Sequence, residues 1–220
     1  METVVITGAN RGIGLALTQF YVERGAQVLA LCRQASSDLS ASGAEIVEDV
    51  DLLLPDTFAA VAERLPCDNI DILINNAGIL RGGRLGQLSS SVLMEQLQVN
   101  AIGALLMSQA MLPRLKRGAK VALITSRMGS IGDNDSGGSY GYRMSKAALN
   151  AAGKSLAIDL APQGIAVAVL HPGYVQTDMV GGGGNVSAGT AAIQLAARID
   201  DLDASRSGHF LHANGDELPW

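Results

Sequence analysis

Seven short apolar runs rich in β-branched residues recur along the chain, separated by stretches of helical length. That rhythm constrains the fold more than any other feature. The runs are TVVIT (3–7), QVLALC (27–32), AEIVEDV (44–50), IDILIN (70–75), KVALIT (120–125), IAVAVL (165–170) and GHFLHA (208–213). Strands apolar on both faces belong in a parallel sheet covered by helices on each side. Strand and helix in alternation predict a doubly wound, Rossmann-like α/β fold of about seven strands. No linker, repeat or shift in composition breaks the pattern, so residues 1–220 are expected to form one domain.

Composition narrows the function classes. With 48% hydrophobic and 17% charged residues the chain reads as a compact globule. Its formal charge of −5 carries no basic stripe, so a nucleic-acid partner is not expected. No apolar run approaches the roughly 18 residues that span a bilayer, and the longest, 101–113, contains Ser108 and Gln109. The N-terminus enters its first strand without a signal-peptide layout, which predicts a cytoplasmic protein. Cys32 and Cys67 lack metal-ligand spacing and are expected to be reduced. His209 and His212 are three apart in a strand-like run, which sends them to opposite faces, so no metal is expected.

Three irregular stretches interrupt the rhythm, at 81–86, 127–141 and 181–189. In open α/β sheets the ligand crevice lies at the carboxyl ends of the strands, and these loops mark that edge. The first strand runs into TGANRGIG, with Gly8, Gly12 and Gly14 between strand and helix. Glycines there allow a tight turn and close backbone approach to a phosphate, which the first N–H groups of the helix then hold. A dinucleotide cofactor follows from that placement.

SYGYRMSK (139–146) offers two phenols beside one lysine. On a helix, Tyr142 and Lys146 lie four apart on one face, whereas Tyr140 is six from the lysine and points elsewhere. Geometry selects Tyr142 for chemistry and leaves Tyr140 before the helix, at the cleft mouth. An ammonium about 5 Å from a phenol stabilises phenolate by about 3 kcal/mol at an effective dielectric near 20. The expected result is a phenol acidified by about two pKa units. Ser126 ends the fifth strand with its hydroxyl toward the crevice, and Ser130 is its rival in the following loop. Asn100 lies in an apolar helix, where its amide must find partners.

The spacing G-x-x-x-G-x-G, with NNAG (75–78), Asn100, Ser126, YRMSK and HPGYVQT (171–177) in that order, resembles the short-chain dehydrogenases/reductases. The details are most similar to the C-factor/sniffer-like carbonyl reductase branch. The resemblance spans nearly the whole chain. It implies catalysis by Asn100, Ser126, Tyr142 and Lys146, with Asn100 holding a water that relays protons from Lys146. It implies cofactor contacts at Gly8, Asn10, Arg11, Gly12, Ile13 and Gly14, at Asn76, Ala77 and Gly78, and at Pro172, Gly173, Val175 and Thr177. Tyr142 and Lys146 join that set. Asp51 and Leu52 resemble the adenine-contacting pair, with Asp49 as a rival register.

The end of the second strand carries Arg33 where NAD readers carry an acid, and Arg11 adds a second cation. Arginine suits a 2′-phosphate, so NADP(H) is expected over NAD(H). The resulting expectation is an NADPH-dependent reductase of a small ketone or aldehyde, reversible in principle. The alternative is a cofactor-sensing or signalling protein on the same fold. The resemblance also implies a homodimer or homotetramer, for which the apolar helices at 92–115 and 145–160 could serve either as interface or as core. Two departures stand out. Ser126 lies 16 residues before Tyr142, three more than is common in the family, and Gly181–Gly184 replace the usual covering helices. Glycine runs hold shape poorly, so a short mobile lid and an open site are expected.

Overall fold

The computed structural model describes all 220 residues. Seven strands form one parallel sheet: β1 (Thr3–Thr7), β2 (Gln27–Leu31), β3 (Glu45–Val47), β4 (Ile70–Asn75), β5 (Leu115–Ile124), β6 (Ala166–His171) and β7 (Phe210–His212). Their order is β3-β2-β1-β4-β5-β6-β7, so the chain winds outward in both directions from the β1/β4 junction. Every pairing is parallel.

The helices are α1 (Gly12–Glu23), α2 (Ser37–Ser40), α3 (Phe58–Arg64), α4 (Ser90–Leu97), α5 (Gly103–Met111), α6 (Tyr140–Leu160) and α7 (Ala188–Asp200). Strand residues alternate between two cores, as period-two geometry requires. Val4, Ile6, Ile72 and Ile74 face Leu17 and Tyr21 of α1 and Leu195 and Ile199 of α7. Val5, Leu73, Val121 and Leu123 face Phe58 of α3, Met107 of α5 and Leu149 of α6. Burying a side chain of this size stabilises the fold by about 1.5–3 kcal/mol relative to exposure. No helix is long and apolar enough to cross a membrane.

Several expectations need correction. The apolar stretch at 92–115 is not one helix: a π-helical turn, Gln98–Ile102, separates α4 from α5. β5 begins at Leu115 rather than near residue 120, with a register shift against β4 between Ile70 and Ile72. Its first half is held by Leu115 in the core and by a Lys116–Asp71 ion pair, which apolar alternation does not report. The connection from β2 to β3 holds only one helical turn. Tyr140 does not precede α6 but is its first residue.

This topology brings the carboxyl ends of β1, β4, β5 and β6 side by side. Thr7, Asn75, the Ser126 loop and His171 therefore open onto one edge of the sheet.

Candidate active site

The glycine loop forms a backbone cradle. Gly8 and Gly12 take φ of +65° and +55°, a region open to glycine at little cost. A Cβ on Gly14 would stand 2.2 Å from the Gly8 carbonyl oxygen and 2.5 Å from Asn76 Nδ2, so only glycine lets α1 start this close to β1. Asn76 clamps the loop: its Nδ2 donates to the carbonyls of Thr7 (3.1 Å) and Gly8 (3.2 Å). The N–H groups of Asn76 and Ala77 donate to Thr7 Oγ1. Asn76 and Ala77 thus shape the cradle. Arg11, in extended conformation, precedes α1 without any side-chain cap. The first-turn N–H groups, Ile13 among them, keep their capacity for an anion. These features fit the pyrophosphate of a dinucleotide.

Arg33 sits just past β2, exposed and outside every ion pair of the chain. Asn10 Nδ2 donates to the Gln34 carbonyl (3.3 Å), and Ser36 Oγ donates to the Asn10 carbonyl (2.7 Å). These bonds fasten the glycine loop to the segment carrying Arg33. Arg11, in the glycine loop, pairs with Asp178 on the loop after β6 (3.6 Å). Asp51 accepts the Leu53 N–H through Oδ1 (3.0 Å), and Leu52 is buried against Gly103 in the core. Asp49 is exposed, at φ +62°.

Tyr142 and Lys146 lie one turn apart on α6, 8% and 4% exposed. Lys146 Nζ is 5.8 Å from the Tyr142 ring centroid and donates to the Ile124 carbonyl at the end of β5 (2.8 Å). Ser126 directly faces this pair. Its Oγ accepts the Met128 N–H (3.1 Å) and lies close enough to the Tyr142 phenol to favour its ionised form. Ser130 is committed elsewhere, donating to the Trp220 carbonyl (3.3 Å) and accepting from the Asp133 N–H (3.0 Å). Tyr140 is half-buried at the start of the helix.

Burial pushes the Tyr142 phenol above its usual value, and the nearby Ser126 hydroxyl offsets this only in part. Burial also lowers Lys146 to about 8. Desolvation disfavours both charged forms, the phenolate and the ammonium. The phenol stays protonated at neutral pH.

Asn100, fully buried in the π-helical turn, spends its amide on the frame of the site. Its Oδ1 accepts the Ile79 N–H (2.7 Å), while Nδ2 donates to the Ile79 carbonyl (2.8 Å) and Ser145 Oγ (2.9 Å). Both donors are used, so a relay water would have to find another hold than the amide hydrogens. Gly78 lies against this junction: a Cβ there would be 3.2 Å from Asn100 Oδ1 and 3.6 Å from Lys146 Nζ. Asn100 thereby ties the loop after β4 to α6.

The segment after β6 closes the opposite side. Pro172 and Val175 are buried, Gly173 turns at φ +92°, and Thr177 approaches Gly12. The glycine run forms a defined turn. Gly181, Gly182 and Gly184 take positive φ. The Gly182 N–H donates to the Thr177 carbonyl, and the N–H groups of Asn185 and Val186 donate to that of Tyr174. Glycine here encodes a tight turn, a reading that composition alone does not separate from looseness.

Residues outside the expected set also matter. Thr125 Oγ1 donates to Asn150 Oδ1 (2.6 Å), fixing α6 on β5, and buried Gln96 accepts the Arg81 N–H (2.8 Å). The nearest sequence signal was a polar residue inside an apolar run. His209 contacts Glu217 (3.1 Å), while His212 packs edge-on against His171, with centroids 5.0 Å apart. His209, just before β7, and His212, within it, thus have separate partners.

Known proteins share this arrangement. The family model for short chain dehydrogenase matches residues 2–184. Over 226 residues the chain is 37% identical to 1-hydroxy-2-glutathionyl-2-methyl-3-butene dehydrogenase of Rhodococcus sp. (strain AD45), with all of both chains covered. Among solved structures, carbonyl reductase Sniffer of D. melanogaster superposes with a TM-score of 0.92 at 31% identity over the whole of both chains. The NADPH-bound carbonyl reductase from chicken fatty liver gives 0.90 at 31% identity, covering 100% of this chain and 99% of that one. The family model covers most of the chain and the Rhodococcus relative all of it, and the chain belongs to the short-chain dehydrogenase family.

Proposed function

We propose that this oxidoreductase uses NADPH to reduce a ketone or aldehyde, with Tyr142 as the proton donor. One observation carries the reading: a buried phenol, kept protonated, faces Ser126 and lies one helical turn from Lys146 at the mouth of an uncapped glycine cradle. The cofactor would be held by the Gly8–Gly14 loop, by Arg33 at its 2′-phosphate, and by the segment from Pro172 to Thr177. When bound, its reduced nicotinamide supplies a hydride. The NADPH-bound carbonyl reductase neighbour supports this choice.

The chain's own residues supply the rest. Ser126 holds the substrate oxygen by a hydrogen bond and orients it toward Tyr142. Tyr142 gives its proton to that oxygen as negative charge develops. Lys146 does not ionise the phenol in advance. Its charge stabilises the phenolate left behind, by roughly 3 kcal/mol at a separation of about 5–6 Å and an effective dielectric near 20. That interaction grows only as the reaction proceeds, which is the kind that lowers a barrier. Asn100 is a positioning residue that keeps the Ile79 backbone and α6 in register.

A second reading, alcohol oxidation, is favoured by the dehydrogenase of Rhodococcus. It requires Tyr142 as phenolate, which its raised pKa makes scarce at neutral pH. The test is NADPH consumption across a panel of aldehydes and ketones, run beside Tyr142→Phe. The variant should bind NADPH normally and lose about 10²–10⁴-fold in turnover. Near-normal turnover by the phenylalanine variant would remove Tyr142 from the chemistry. NADPH binding with no turnover of any carbonyl would favour a sensing role.

A further inference from the structure

Arg11 and Asp178 stand on opposite walls of the groove. Arg11 belongs to the glycine loop and immediately precedes α1, whereas Asp178 follows Thr177 at the end of the segment after β6. Arg11 Nη1 lies 3.6 Å from Asp178 Oδ2. Next to this pair the walls approach again, since the Thr177 Cγ2 methyl lies 3.3 Å from where a Cβ on Gly12 would be. Two neighbouring contacts therefore bridge the cradle and the loop opposite it.

The Asp178 turn is built as a small unit. The Gly181 N–H donates to the Asp178 carbonyl (3.1 Å) and the Gly182 N–H to the Thr177 carbonyl (2.9 Å). Gly181 and Gly182, both at positive φ, have no heavy atom within 4 Å of where a Cβ would stand, so open space surrounds the turn on that side. A guanidinium carries five donors, so Arg11 can hold Asp178 and still offer N–H groups to a phosphate below.

We propose that the Arg11–Asp178 pair is a clasp over the cofactor groove, and that Asp178 sets how long a bound dinucleotide stays. The proposal rests on the reading that the groove takes NADPH. Both side chains are largely exposed, at 67% and 82%, so the clasp is weak and sensitive to salt.

The experiment is stopped-flow NADPH fluorescence on the full chain. In Asp178→Asn the dissociation rate constant should rise about two- to fivefold at low ionic strength, with the association rate constant changing less. Near 0.5 M salt wild type and variant should converge, and Asp178→Glu should restore slow release. An unchanged dissociation rate in Asp178→Asn overturns the clasp. Slower release also overturns it, by showing that the carboxylate repels the cofactor phosphates. Absence of saturable NADPH binding by the unmodified chain overturns the cofactor reading and the clasp together, and so is distinguishable from either outcome above.

Discussion

Lys146 should cost this protein stability, and removing it should stabilise the fold while abolishing turnover. Its side chain is 4% exposed, and burial holds its pKa at about 8 against the usual 10.5 of a lysine. Between those values the unfolded chain binds more protons than the folded one, so stability rises with pH from about 8 to 10.5. Below pH 8 the whole penalty is present, about 3 kcal/mol for such a shift. Lys146→Met keeps the length of the side chain and deletes the charge. It forfeits the charge-assisted hydrogen bond to Ile124, worth about 1.5–3 kcal/mol, leaving a net gain of about 1 kcal/mol at pH 7. In urea unfolding of the cofactor-free chain, that gain moves the midpoint up by roughly 0.5 M. The gap between variant and wild type should narrow as pH rises above 8. Tyr142 is common to both proteins, so its own titration largely cancels. A methionine variant that is less stable at pH 7, or a gap that does not change with pH, would refute the idea that burial dominates this site.

Asn100→Leu strands the Ile79 N–H, the Ile79 carbonyl and the Ser145 hydroxyl, at about 1–3 kcal/mol each. Thermal melting should fall by about 10 °C or more, and an unshifted melt would contradict the bonding described here. His171 is lowered to about 4 by burial, then by His212 and Arg127. Because the unfolded chain takes up its proton first, stability should decline as pH falls from about 6.5 to 4. His171→Phe should flatten that decline in acid unfolding curves, and an equally steep curve would count against it. Arg33→Ala should weaken NADPH about 10- to 100-fold while leaving NADH nearly unchanged in fluorescence titrations, and equal losses would exclude a phosphate contact.

The fold was largely legible because parallel strands buried on both faces write themselves as continuous apolar runs. All seven runs became strands, and Val4, Val5 and Ile6 show why: successive residues feed opposite cores. What escaped was encoded in polar contacts. Leu115–Ala119 joins β5 through a register shift and the Lys116–Asp71 pair, and neither has a periodic signature. The π-helical turn at Gln98–Ile102 interrupts a stretch whose apolar spacing reads as one helix. Its only trace was Asn100, a polar residue with an unexplained place in an apolar run.

Within the site, helical spacing identified Tyr142 over Tyr140 because angular position depends only on sequence separation. The chemistry of the pair was not accessible in the same way. Separation along a helix gives the distance between ammonium and phenol, but the sign of the pKa change depends on how much water remains around them. Here α6 is pressed against β5 and the Asn100 junction, Lys146 turns its Nζ to the Ile124 carbonyl, and both groups are desolvated. Burial raises the phenol, and it rests in its acid form. A reductase needs that form at the start of its reaction, with the lysine charge near enough to stabilise the phenolate once the proton has left. In the reduction proposed above, desolvation that raises the phenol keeps its proton in place until the substrate oxygen takes it, and the pH dependence of Lys146→Met measures how strongly burial acts on this pair.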